Sequence, residues 1–277
     1  MSERISFFDC NAAIGNPAAP IFGTTLSGPA ELLKEMGTFG IDEALVVDVI
    51  AKELDYREGN EKILSLVEEH VELWPVATTL PEFALQDDVD YLAGVLDRGC
   101  RAVRIHPNAL HEIKAEYTFG RMFPFHPDVV GPICEMLERR RVPLFVELDQ
   151  VHWDEVYDIC RLYPNLPLVL LNVTYRHKRS LFAGMKKYPN LHVDTSCYWV
   201  YRGIEEMCKV FGAERILFGT RLPIFNALSS VAMVMYARIS ESEKRAIAGD
   251  NLRNLLRHSE PGVHATQLGV PRSPDGS

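Results

Sequence analysis

Short apolar runs alternate with longer segments of helical period along most of the chain, and this alternation predicts the fold. The runs are rich in Val, Ile, Leu and Phe, as expected for buried strands. We interpret eight of them as strands, at residues 5–9, 44–49, 73–78, 102–106, 143–148, 167–172, 191–196 and 215–220. Because helical segments separate the strands, the pattern indicates parallel strands joined by crossover helices.

The helical segments complete the prediction of an α/β fold, a (β/α)8 TIM barrel. In "PAELLKEMGTFG", Leu32, Leu33 and Met36 form one apolar face, and Gly37 and Gly40 end the segment. Eight such strand and helix pairs over about 250 residues match the size of this barrel. A doubly wound open sheet is the alternative, but it normally carries a G-x-G-x-x-G turn after its first strand, and "NAAIGNPAAP" has none.

Domain organisation follows from the same pattern. We predict one barrel domain over residues 1–258. Residues 259–277 are poor in large apolar side chains and rich in Pro, Gly and Ser, so they are predicted to be a disordered tail.

Composition excludes several classes of function. The 277 residues are 47% hydrophobic and carry a formal net charge of −9, which gives nucleic acid no extended basic surface. No apolar stretch approaches the roughly 20 residues of a membrane span, and the start of the chain lacks a signal-peptide core, so we expect a cytoplasmic protein that binds no membrane. Six cysteines without a C-x-x-C pair predict reduced thiols, of which Cys10 and Cys197 lie near strand ends.

Polar residues stand where the predicted strands end. A (β/α)8 barrel carries its chemistry at the carboxyl ends of its strands, so these residues are candidates for an active site. They are Asp9, Asn11, Asp48, Thr78, His106, Glu147, Asp149, Asn172, Ser196, Tyr198 and Arg221. Arg104 lies two residues before His106, and the period of a strand places both side chains on one side.

Three segments carry a resemblance to a known family. They are "RAVRIHP" at residues 101–107, "AERILFGTRLP" at 213–223 and "IAGDNLRNLL" at 247–256. Together with the order of strands, they resemble the amidohydrolase superfamily, in particular the group of aminocarboxymuconate-semialdehyde decarboxylase. The resemblance implies a hydrolase or a carboxy-lyase with a small-molecule substrate, and members of the group are often homodimers.

The usual metal ligands of that family are replaced here. The family holds a divalent metal with an H-x-H pair after the first strand, His residues at the ends of strands five and six, and an Asp at the end of strand eight. The corresponding residues are Asn11 and Ala13, Glu147, Asn172, and Arg221. Amide groups are weak ligands and a guanidinium repels cations, so we predict neither a metal nor another cofactor.

Three hypotheses remain open from the sequence. The first is a metal-independent hydrolase or decarboxylase of a small carboxylate or lactone, with Glu147, His106 and Asp9 as catalytic groups. In it, the substrate is bound by Arg221, Asn172, Asn11, Arg104 and Tyr198, and Arg221 pairs with Glu147 or Asp9 in place of the metal. The second is a metal-dependent hydrolase with atypical ligands. The third is a non-catalytic relative that binds a ligand or serves in assembly.

Overall fold

The computed structural model describes residues 4–16, 28–81, 88–108 and 121–259. Eight parallel strands follow one another around a nearly closed barrel in chain order. They are β1 (Phe7–Ile14), β2 (Ile41–Asp48), β3 (Leu73–Thr79), β4 (Ala102–Ile105), β5 (Leu144–Glu147), β6 (Leu168–Leu171), β7 (Leu191–Asp194) and β8 (Ile216–Leu217). The (β/α)8 barrel predicted from the sequence is therefore confirmed.

Two strands differ from their predicted bounds. β1 runs to Ile14, because a shift in its register against β2 between Asp9 and Ala12 lets the chain continue past the expected end. β8 is only two residues long, but the backbone N–H of Cys10 donates to the carbonyl of Phe218 at 2.9 Å, which brings β8 against β1. The first and last strands thus meet where the barrel closes.

Helices cover the outside of the barrel between successive strands. They are α1 (Pro29–Phe39), α2 (Val49–Glu53), α3 (Tyr56–Glu69), α4 (Asp88–Asp97), α5 (Pro127–Arg140), α6 (Trp153–Leu162), α7 (Lys178–Lys187), α8 (Gly203–Phe211), α9 (Leu228–Met235), α10 (Glu241–Arg245) and α11 (Asn251–Arg257). α1 ends at Gly40, whose φ of 72° lies in the left-handed region that glycine adopts without strain. This is the end that the sequence predicted.

The apolar core has two layers. The outer layer lies between the strands and the surrounding helices. The inner layer fills the barrel with alternate strand residues, among them Phe8, Leu45 and Phe145. Leu252 and Leu256 of α11 join the inner layer and close the floor of the barrel, opposite the carboxyl ends of the strands.

Other predictions have mixed outcomes. All six cysteines are buried free thiols, as the sequence indicated. Residues 260–277, nearly all of the predicted disordered tail, lie outside the described residues, and the domain bounds stay a prediction. None of the described helices has the length and apolar character needed to cross a membrane.

Candidate active site

A buried group of amide, carboxyl and hydroxyl side chains joins β1 to the ends of β6 and β7, and we call it the amide network. Its members are Asn11, Asn172, Asp194 and Ser196. Asn11 Nδ2 lies 3.0 Å from Asn172 Oδ1, 3.0 Å from Asp194 Oδ2 and 3.3 Å from Ser196 Oγ. The backbone N–H of Asn172 donates to Asp194 Oδ1 at 3.0 Å. Burial raises the pKa of Asp194, while hydrogen bonds from its neighbours act in the opposite direction.

Asp9 fastens β1 to the end of β8. Its Oδ1 accepts the backbone N–H groups of Asn11 at 2.9 Å and Thr220 at 3.0 Å, and its Oδ2 accepts the Thr220 hydroxyl. Burial raises the pKa of Asp9 to about 6 despite these hydrogen bonds. Both carboxyl oxygens are occupied, so the contacts favour a positioning role, and the catalytic role of Asp9 stays a prediction.

A second buried group lies at the ends of β4 and β5, and we call it the charged cluster. Its members are Lys52, Arg104, His106, Glu147 and Gln150. Glu147 Oε1 accepts from Arg104 Nη2 at 2.6 Å, and Lys52 Nζ lies 3.3 Å from both carboxylate oxygens of Glu147. Gln150 Nε2 donates to Glu147 Oε2 at 3.0 Å. Glu147 thus faces two cations inside the barrel mouth.

Local structure explains how Lys52 reaches this cluster. Asp48, the last residue of β2, caps α2 by accepting the backbone N–H of Ile50 at 2.8 Å. The helix therefore begins at the strand end, and its first turn carries Lys52 over the mouth. The side chain of Lys52 is only 13% exposed.

Polar atoms of the charged cluster remain without partners. Both ring nitrogens of His106 and Nε of Arg104 are buried and form no hydrogen bond with any described residue. His106 Nδ1 lies 3.8 Å from Glu147 Oε1, beyond hydrogen-bond distance. Burial lowers the pKa of His106 to about 3, so the ring is neutral at physiological pH. Unsatisfied buried groups of this kind are expected where a ligand binds.

The amide network and the charged cluster belong to one mouth. The thiol of Cys10, on β1, is buried, and burial together with the charges of Asp194 and Asp9 raises its pKa, whereas Arg104 acts in the opposite direction. Cys10 therefore lies within electrostatic reach of both groups. The structure brings together seven of the eight predicted site residues around this mouth if Arg221 at its rim is included.

Arg221 does not take the predicted position. Its φ of 63° turns the residue into the left-handed region, and its guanidinium lies 5.1 Å from the ring centre of Phe225. The ion pairs of Glu147 among the described residues are instead with Arg104 and Lys52. The expectation that Arg221 pairs with Glu147 or Asp9 is therefore wrong for the described part of the chain.

Tyr198 is the predicted site residue that the structure places elsewhere. It is 1% exposed and belongs to the outer apolar layer. A Cβ on Gly203 would lie 2.7 Å from Tyr198 Cε1, which shows how closely the chain packs against the ring. Tyr198 therefore supports the wall of the barrel. Its buried hydroxyl has no hydrogen-bond partner among the described residues, and its contact with substrate stays a prediction.

Sequence reasoning missed Lys52, Gln150, Asp194 and Thr220. Lys52 and Gln150 lie in helical segments just after strand ends, where the two-residue alternation of a strand no longer indicates which way a side chain points. Asp194 is the last residue of β7, two residues before the strand end that the sequence predicted. The acidic residue within the otherwise apolar run "LHVDTS" was the available signal.

The residues at the mouth do not fit the family's metal ion. Within the described ranges, no group of three or more His, Cys, Asp or Glu side chains is arranged to hold one. Asn11 Nδ2, which has no lone pair for a metal, occupies the point on which three oxygens converge. Glu147 faces Arg104 and Lys52, whose charges would repel a cation.

Comparison with known proteins establishes the family. The family model described as amidohydrolase matches residues 24–257, and the chain therefore belongs to the amidohydrolase family. The match begins after β1, the strand in which the sequence predicts that Asn11 and Ala13 replace the usual histidine pair. No curated protein matches the chain at the level of sequence.

Solved structures share the barrel. The 2,6-dihydroxybenzoate decarboxylase from Rhizobium is 17% identical with a TM-score of 0.68, covering 92% of this chain and 99% of its own. The 5-carboxyvanillate decarboxylase from Sphingomonas paucimobilis is 15% identical with a TM-score of 0.67 and the same coverage. A Pseudomonas putida protein assigned as a 2-pyrone-4,6-dicarboxylic acid hydrolase is 14% identical with a TM-score of 0.64, and it covers 92% and 99%. At these identities the likeness shows the fold alone.

Proposed function

We propose that the protein is an enzyme that acts on a small carboxylate, as a decarboxylase or a hydrolase, without a metal ion. The charged cluster carries this proposal. Lys52 and Arg104 together outweigh the single negative charge of Glu147, so among its described members the cluster has an excess of one positive charge in a buried place. An anionic group of a substrate would neutralise it.

The unpartnered atoms give that anion a place. Arg104 Nε and the ring nitrogens of His106 are buried and available for hydrogen bonds. A bound carboxylate would accept from Arg104 and from the protonated nitrogen of His106 while it approaches Lys52. Hydrogen bonds to charged groups contribute about 1.5 to 3 kcal/mol each, which is sufficient to orient a small molecule.

The family relatives support the substrate class. Two structural neighbours are named as decarboxylases of carboxylated aromatic compounds, and a third is assigned as a hydrolase of a dicarboxylic acid. All three names describe small carboxylates. We transfer only this shared chemistry to the present chain, since the substrate itself depends on side chains that differ at such low identity.

The charged cluster suggests which part of the substrate reacts. An ion pair that stabilises a carboxylate in the ground state would slow the loss of that same group. We therefore assign Lys52 and Arg104 to a second anionic or phenolic group of the substrate. In a decarboxylation, the bond to the leaving carboxylate breaks, CO2 departs with no proton, and the carbon keeps the electron pair and takes a proton. An anion bound beside His106 raises its pKa, so the ring takes up a proton from solvent; one N–H then binds the anion and the other is the proposed donor of the proton to the carbon.

Binding and turnover test the proposal separately. Hydroxybenzoates, aliphatic dicarboxylates and dicarboxylic lactones are incubated with the protein, binding is measured by calorimetry, and products are separated by liquid chromatography. We expect Lys52→Met and Arg104→Met to weaken binding of an active compound by roughly tenfold or more, which corresponds to about 1.4 kcal/mol. Arg161→Met is the matched control, since Arg161 is an exposed cation paired with Asp158 at 2.8 Å.

Each outcome has a defined meaning. Binding that is unchanged in both variants would refute the assignment of the charged cluster. Binding that depends on Arg104 without any product from the panel would favour a non-catalytic ligand-binding relative. Turnover that disappears with a chelator and returns with zinc or manganese would refute the metal-independent part of the proposal. Loss of turnover in His106→Gln with binding retained would support the proton donor.

A further inference from the structure

The amide network has the geometry of a cation site with a side chain at its centre. Three oxygens, from Asn172, Asp194 and Ser196, converge on Asn11 Nδ2 at 3.0, 3.0 and 3.3 Å. An amide group has only two N–H bonds, so three acceptors around it share two hydrogens. Oxygens that converge on one point from separate strand ends are the usual arrangement around a hard cation.

We propose that the Asn11 amide has replaced a divalent cation as the group that joins β1 to the ends of β6 and β7, and that the oxygens around it form a latent cation site. The partial positive charge of the amide N–H groups takes the place of the ion. This inference concerns the network alone and does not require the protein to be an enzyme. In this proposal, the Asn11 side chain holds the three strands together where a metal ion would otherwise do so.

Packing around the network leaves no room for an additional ion. A Cβ on Gly219 would lie 2.6 Å from Asp194 Oδ2 and 3.3 Å from Asn11 Cβ, so only glycine allows the backbone after β8 to approach this closely. Asn11, Asn172, Asp194 and Ser196 are at most 8% exposed. An ion with bound water molecules would therefore have to displace the Asn11 amide itself.

Asp194 is the acid of the amide network, and Asn11, Ser196 and the backbone of Asn172 surround it with hydrogen-bond donors. The neighbouring acid, Asp9, is occupied by Asn11 N–H and Thr220. Replacing the amide nitrogen of Asn11 with an oxygen would place a second carboxylate against Asp194 while changing the size of the side chain very little.

Asn11→Asp tests the inference directly. We expect this variant to unfold at a lower temperature than the wild type in a chelating buffer, because two carboxylates then face each other without a donor between them. Millimolar Mn²⁺ or Ca²⁺ should raise its melting temperature, since these ions prefer oxygen ligands. The wild type should show no change with either ion or with the chelator. Asn254→Asp, an exposed substitution of the same chemistry, is the matched control and should not respond to the ions.

Three results would overturn the inference. The first is stoichiometric metal in the purified wild type by elemental analysis, together with a lower melting temperature after chelation. The second is an Asn11→Asp variant that is as stable as the wild type. The third is a destabilised variant on which the cations have no effect. If Asn11→Asp is insoluble, refolding with and without Mn²⁺ replaces the melting experiment, and an equal soluble yield in both conditions would count against the site.

These results remain distinct from a failure of the proposed enzyme function. Carboxylate binding depends on Lys52 and Arg104, which belong to the charged cluster. A wild type that contains metal would refute the replacement by Asn11 and the metal-independent part of the proposed function, but it would leave carboxylate binding to be decided by Lys52→Met. Conversely, a protein without any substrate would still be expected to show the cation response in Asn11→Asp.

Discussion

The two halves of the barrel mouth use polar side chains in opposite ways. Around the amide network, the carboxylates of Asp9 and Asp194 are satisfied by neighbouring donors. In the charged cluster, Arg104 and His106 retain buried atoms without partners. The carboxylates of the first half are therefore satisfied, although Asn172 Nδ2 has no hydrogen-bond partner among the described residues. The second half has the features of a binding site. This difference is the reason that the proposed function places the ligand on the side of β4 and β5.

Removing the guanidinium of Arg104 should have the largest effect. Arg104→Met leaves Glu147, only 4% exposed, with a weaker set of donors. Breaking a buried ion pair from one side costs about 3 to 5 kcal/mol, and Lys52 should keep the loss near the lower value. Urea unfolding measures the effect. Glu147→Gln and the double variant complete a mutant cycle, and a coupling energy near zero would show that the pair contributes nothing.

The joint between β1 and β8 comes next. Thr220→Val removes the hydroxyl that donates to Asp9 and accepts the backbone N–H of Leu222 at 2.9 Å. We expect a loss of about 2 to 3 kcal/mol at neutral pH, since two buried groups lose a partner. Thr220→Ser keeps the hydroxyl and is the control.

The effect of Thr220→Val should depend on pH. The pKa of Asp9 is raised to about 6 in the folded protein from its ordinary value of 3.8, so its contribution to stability is largest at low pH and is lost as pH rises through 6. Without the hydroxyl donor, the folded pKa should rise further. The variant should therefore recover part of its stability between pH 7 and pH 5. Equal losses at both values would contradict the role of the Thr220 hydroxyl.

Lowering the pH should reduce the stability of the fold, because the buried neutral histidines must then become protonated. Burial lowers the pKa of His106 to about 3 and that of His192 to about 4, against 6.5 in the unfolded chain. Their contribution is complete above pH 6.5 and is lost as pH falls towards the folded values, by about 1.4 kcal/mol per histidine and pH unit. In plots of the free energy of unfolding against pH, His106→Gln should remove the contribution of His106 to the slope, and His192→Gln should remove that of His192. A bound carboxylate should reduce only the part that belongs to His106.

Arg221 should give the smallest effect on stability. Its guanidinium lies over Phe225 in a half-buried position, where a cation–π contact contributes about 0.5 to 1 kcal/mol. Arg221→Met should therefore cost less than about 1 kcal/mol in thermal or urea unfolding. A loss as large as that of Arg104→Met would restore the idea that Arg221 balances the buried carboxylates.

The sequence predicted the barrel because apolar runs and helical periods are local and repeated eight times. It also placed Asn11, His106, Glu147 and Asn172 at strand ends, where alternation and the barrel rule apply. It failed for Arg221, whose orientation depends on a positive φ of 63° that no sequence pattern shows. It also missed Lys52, because no local pattern tells which residue of a short helix points back over the mouth.

Leu252 and Leu256 close one end of the packed barrel interior. Because α11 fills this end in the described part of the chain, a ligand bound at the mouth would exchange with solvent at the opposite, strand-end face. A substrate and the products made from it would then enter and leave through the same face of the barrel. For an enzyme that acts on carboxylates, a product that keeps its second acidic group should compete with substrate for this site. Product release should then limit the rate of turnover once the chemical step is fast.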